Sequence, residues 1–126
     1  MERVGVELGF DCVVQKLLLS VVLLSACSKG TSADLQHIKQ ARSIAAEWAL
    51  INEQAQVGKL TPTYVGSMHE WLRDDLKTTI ASLSEPNSPY GDQMKALLAK
   101  PPGAAASDLR GRAEALKRIE DSLESA

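Results

Sequence analysis

The feature that most limits what this chain can fold into is the stretch from residue 34 to residue 57, "DLQHIKQARSIAAEWALINEQAQV". Ile38, Ala41, Ala45 and Trp48 recur three and four residues apart, as do Ile44, Trp48, Ile51 and Ala55. That spacing marks one side of an α-helix. Between Ile44 and Ile51 the only polar residue is Glu47, so a helix here is apolar around much of its circumference and belongs in the middle of a fold, touched from more than one side. Thr31 or Ser32 can cap its start, Asp34 suits the positive end of its dipole, and Gly58 can close its end.

The same grammar repeats downstream. Thr61-Pro62 pairs a capping hydroxyl with proline at the first helical position, and Val65, Met68, Leu72, Leu76, Ile80 and Leu83 then form a buried stripe. At 1.5 Å per residue the first two helices extend roughly 36 and 33 Å, and the short turn between them predicts an antiparallel hairpin. "SEPNSPYG" (84–91) is a break. Within it Ser88-Pro89 starts a short helix carrying Tyr90, Met94, Leu97 and Leu98, which Pro101-Pro102-Gly103 terminates. Ser107 is the expected cap of a last helix whose inner side is Leu109, Ala113, Leu116, Ile119 and Leu123. Glu114–Arg118 and Lys117–Asp121 are spaced for ion pairs on its outer side. The reading is all-α, a small bundle of four helices: two long in a hairpin, one short and one of medium length.

Composition agrees. The chain of 126 residues is 44% hydrophobic and 24% charged, too apolar for intrinsic disorder and sized for one domain. Its formal net charge of −2 provides no cationic surface for a phosphate backbone, which argues against nucleic acid as a partner.

Ahead of the helical region stands "LLLSVVLLSAC" (17–27). About 20 apolar residues are needed to span a bilayer, so this run has the length of a signal-peptide core instead. Lys16 precedes it and the small residues Ser25 and Ala26 follow. Leu24-Ser25-Ala26-Cys27 resembles the lipobox of bacterial lipoproteins at all four positions. The resemblance covers the leader alone; the rest of the chain resembles no characterised family. It implies that residues 1–26 are a signal peptide removed before Cys27, that the Cys27 thiol carries a diacylglyceryl group on a usually acylated amino terminus, and that 27–33 form a lipidated tether to a helical domain at 34–126. Ser28 after the cysteine is similar to the residue that accompanies export to the outer membrane. The implied location is therefore the cell envelope, on the outer membrane facing the periplasm. Upstream, Glu2, Glu7 and Asp11 offset Arg3 and Lys16, a departure from the basic start of such leaders that a translation start near Val13 or Val14 would explain. Once the leader is removed, Cys12 is gone and no internal disulfide can form.

Chemistry is sparse. "HEWLR" (69–73) begins like the zinc-protease pattern H-E-x-x-H, but Arg73 stands where the second histidine must be, so His69 reads as a surface or boundary residue. Asp74 and Asp75 project about 100° apart on a helix and read as a solvated face. No phosphate loop, nucleophile elbow or ligand cluster is present in the sequence, and no catalytic residue, metal or cofactor is implied. Trp48 lies in the apolar stripe and reads as core. Trp71 lies one step off the stripe through Leu72, beside Met68 and near Tyr64. These three form either the edge of the core or an exposed binding patch. The expected function is that of a non-enzymatic envelope lipoprotein that binds another envelope protein or the cell wall. The alternative is a structural or stress-related surface lipoprotein with no specific partner.

Overall fold

Helices α1 (Thr31–Gln56), α2 (Pro62–Ala81), α3 (Pro89–Leu98) and α4 (Ala106–Glu124) follow one another in chain order. The structure is a computed structural model describing residues 31–126. The leader, Cys27 and residues 28–30 of the expected tether lie outside the described residues. Among those described there is no strand, and no helix is long and apolar enough to cross a membrane.

Local signals account for most of the boundaries. Thr61 and Ser88 accept hydrogen bonds from the amides of Tyr64 and Gly91, with Pro62 and Pro89 opening the helices behind them. Gly58 sits at φ 76°, in the left-handed region. This lets Gly58 N–H reach the Ala55 carbonyl and Lys59 N–H the Gln54 carbonyl, closing the last turn of α1. Three expectations need correction. α1 already runs from Thr31, so residues 31–33 belong to the helix, not to a tether, and neither Thr31 nor Ser32 stands ahead of it as a cap. α2 stops at Ala81, leaving Leu83 to be buried from the following turn. The cap residue of α4 is Ala105, without a side-chain bond, and Ser107 lies inside the helix. The physical reason is upstream: Ala104 N–H bonds the Pro101 carbonyl and Ala104 is buried against the core, which sets where α4 begins.

α1 is the central element. It packs against α4 most extensively, then α2, and touches α3 at one end, while α2 and α4 do not meet. The expected α1–α2 hairpin forms: Gln40 bonds Asp75 near one end and Asn52 meets His69 near the other, so the two helices run antiparallel. α4 is antiparallel to α1 as well, pinned by Lys39–Glu124, Arg42–Glu120 and Glu53–Arg110. Short α3 bridges α2 and α4 and closes the fourth side. Ile38, Ala41 and Ala45 of α1, Leu76 of α2, Met94 and Leu97 of α3, and Leu109 and Leu116 of α4 are fully buried at the centre. Small residues on α1 let its neighbours approach closely, and the larger aliphatic side chains opposite fill the space.

Asp34 does more than face a dipole. It is fully buried, and its carboxylate accepts from Ser84 N–H (2.7 Å), Glu85 N–H (3.0 Å) and the Tyr90 hydroxyl (2.6 Å). One side chain at the start of α1 thus holds the turn between α2 and α3 and the first turn of α3. Burial by itself pushes the Asp34 carboxyl up, but the bonds from Ser84, Tyr90 and Glu85 together outweigh it and hold the group below the usual carboxylate range. Burial, with the bond to Asp34 next, pushes the Tyr90 phenol up to about 12. Gly91 completes the corner: the Pro86 carbonyl lies where a β-carbon would stand.

Candidate partner-binding face

On α2, Tyr64, Met68 and Trp71 are spaced four and three residues apart, which places them within about 60° of one another around the helix. The structure therefore brings the three expected residues onto one strip. Trp71 is 57% exposed and Tyr64 47%, while Met68 is half-buried. Trp71 is thus an exposed side chain and not a covered part of the core. The strip continues to Asp75, whose carboxylate accepts from Gln40 Nε2 of α1 at 2.8 Å. It thus borders the seam between the two long helices, whose antiparallel packing gives it a rigid backing. Glu70 and Asp74 lie to one side of Trp71 and are exposed, with Lys77 beside them, so that rim of the patch keeps an acidic excess.

Trp48 has the opposite character. It is 4% exposed, packs in the core cluster, and donates its indole N–H to the Pro102 carbonyl at 2.8 Å. Its neighbour His69 lies across the α1–α2 seam, ring centroids 6.4 Å apart. Asn52 uses its amide N–H groups on the carbonyls of Pro102 and Ala104, which leaves Oδ1 facing His69 Nε2 at 2.7 Å. The Nε2 atom therefore carries the proton and donates it. Desolvation holds the His69 pKa below its ordinary value, so the neutral ring is the resident form at pH 7. His69 is a boundary residue as expected, but a bonded one: with Asn52 and Trp48 it fastens the loop between α3 and α4 to the hairpin. Arg73, the residue that breaks the zinc pattern, donates to the Leu98 carbonyl at 3.2 Å and so ties α2 to the end of α3. The sequence offered no local signal for these contacts, because their partners lie 17 to 54 residues away.

Glu120, Asp121 and Glu124 place their carboxylate oxygens within 4.8 Å of one another. Each already has a cation: Arg42 at 2.6 Å, Lys117 at 2.8 Å and Lys39 at 2.8 Å, respectively. The expected Lys117–Asp121 pair is one of these. The trio reads as the charged seam between α1 and α4.

Two larger grooves lie at the ends of the bundle. One, about 780 Å³, lies at the end of the bundle formed by the close of α1 and the start of α4, beside Asn52, His69 and Arg110, and its walls mix polar and apolar atoms. The other, about 480 Å³ and mostly apolar, lies at the opposite end between α3 and the last turns of α4, with Thr31 on its border.

The chain matches no protein-family model, no curated protein and no solved structure. The described residues form a small all-α bundle with α1 at its centre and an exposed aromatic strip on α2.

Proposed function

We propose that the protein is a small bacterial envelope lipoprotein, anchored through Cys27 on the outer membrane and facing the periplasm, which acts by holding another envelope protein and not by catalysis. The observation that carries the binding half is Trp71, with more than half of its surface in water on a helix braced by the bundle. A large amphipathic ring presented on a rigid support is the usual anchor of a protein–protein contact, and Tyr64 and Met68 extend it along the same strip. The acidic rim of Glu70 and Asp74 favours a partner with basic residues around an apolar centre over an anionic membrane surface. The tether half rests on Leu24-Ser25-Ala26-Cys27. Thr31, the first described residue of α1, is four residues from Cys27, at most about 14 Å of chain, so the domain would ride close to its membrane.

The test is a photoreactive phenylalanine analogue in place of Tyr64 in the full-length protein, irradiated in intact cells. A discrete heterologous adduct in the membrane fraction, lost when Trp71→Ala is added, is the expected result. A full complement of folded, membrane-bound protein with no adduct would leave the rival reading, a surface lipoprotein with no specific partner.

A further inference from the structure

The apolar groove between α3 and α4 sits where the chain would deliver a lipid. Thr31, the first described residue of α1, borders it, and Cys27 is four residues upstream, within at most about 14 Å of extended backbone. Its apolar wall is Pro89 and Tyr90 of α3 with Ala115, Ile119 and Leu123 of α4; polar side chains, Glu85, Gln93 and Arg118 among them, also line it. Ile119 and Leu123 continue the stripe that is buried at Leu109 and Leu116, yet they are only partly buried. The groove, about 480 Å³ and open to water, has room for one acyl chain to lie along it.

We propose that this groove receives an acyl chain carried by Cys27, so that the bundle is held against the membrane in one orientation instead of swinging on a loose tether. The inference rests on the lipoprotein reading above. Its physical basis is a balance of wetted surface. A chain moved from bilayer to groove stays in apolar surroundings, while groove walls that otherwise face water are dried. The consequence is an orientation: the end carrying Tyr90 and Leu123 faces the bilayer, and the groove beside Asn52 and His69 faces away from it.

The experiment uses full-length protein made in cells fed a diazirine-bearing fatty acid, purified with its lipid and reconstituted in phosphatidylethanolamine–phosphatidylglycerol vesicles, then irradiated and digested with trypsin. The expected result is label on the peptide Ile119–Ala126 and on the peptide Thr78–Lys95, at Pro89 or Tyr90. At least a five-fold loss of that label should follow from Ala115→Trp and, separately, from Ser122→Trp, an exposed groove position that the fold tolerates; circular dichroism checks that each variant is folded. Label on vesicle lipid alone, on the α2 peptide Leu60–Arg73, or on a second copy of the chain overturns the proposal while leaving lipidation intact. A Cys27 without any acyl mass overturns lipidation and this proposal together.

Discussion

Replacing Asp34 by alanine removes a buried carboxylate that holds three donors from two other segments. Hydrogen bonds to a charged group contribute about 1.5–3 kcal/mol each, and they are not additive, since Ser84 and Glu85 lie near solvent and water can take over part of their bonding. The Tyr90 hydroxyl is buried and has no such recourse. The loss for Asp34→Ala is therefore about 3–5 kcal/mol, comparable to breaking a buried ion pair. For a domain of this size that lowers Tm by at least about 12 °C. Asp34→Asn keeps the shape and one acceptor but turns an amide donor toward a backbone N–H, so it should cost about 1–3 kcal/mol. The pH dependence separates this account from simple packing. Because the folded-state pKa of Asp34 is depressed, its contribution is fully present above the unfolded value near 3.8 and is lost as pH falls through the folded value. Urea melts of wild type and Asp34→Asn, taken from pH 7 down to pH 2, should converge below about pH 4. A gap that stays constant over that range, or an Asp34→Ala variant within about 0.5 kcal/mol of wild type, would refute the reasoning.

Other outcomes follow from the same geometry. Gly91→Ala drives a β-carbon into the Pro86 carbonyl and should destabilise by about 1–3 kcal/mol or more, read from thermal melts, because the obstacle is backbone and cannot rotate away. Glu120→Ala should cost about 1–2 kcal/mol in urea titration, a modest figure because Arg42, its partner, is one-third exposed and water can solvate it. The two tryptophans should separate cleanly in one experiment. Trp48→Ala should lose about 3–5 kcal/mol of stability, whereas Trp71→Ala should stay within about 0.5 kcal/mol of wild type while losing the partner adduct.

What could be read from the sequence was what neighbouring residues decide among themselves. Thr61-Pro62, Ser88-Pro89 and Gly58 act within one turn of their own positions, and the structure places helix ends at each of them. The apolar excess of Ile44–Ile51 indicated a central helix for the same reason: periodicity is local, and its breadth measures how many sides must be covered. The misplaced cap at Ser107 shows the limit. Its hydroxyl was suited to the role, but burial of Ala104 against the core fixed the turn two residues earlier. Asp34 shows it more sharply, since a carboxylate in a first helical turn reads as a dipole partner until the chain brings residues 84, 85 and 90 around it. That α1 would pack most extensively on α4, and not on its hairpin partner α2, likewise depended on contacts across more than 50 residues. On the candidate face, spacing alone put Tyr64, Met68 and Trp71 on one strip. Whether Trp71 was covered depended on the other helices, and among the described residues it stays more than half exposed.

The most direct measurement is the intact mass of the protein taken from the membrane fraction, with sequencing of its amino-terminal peptide. The account predicts a chain beginning at Cys27, heavier than its residues by a diacylglyceryl group and an amide-linked acyl chain. An unmodified polypeptide that still carries residues 17–26, recovered from the soluble fraction, would contradict it.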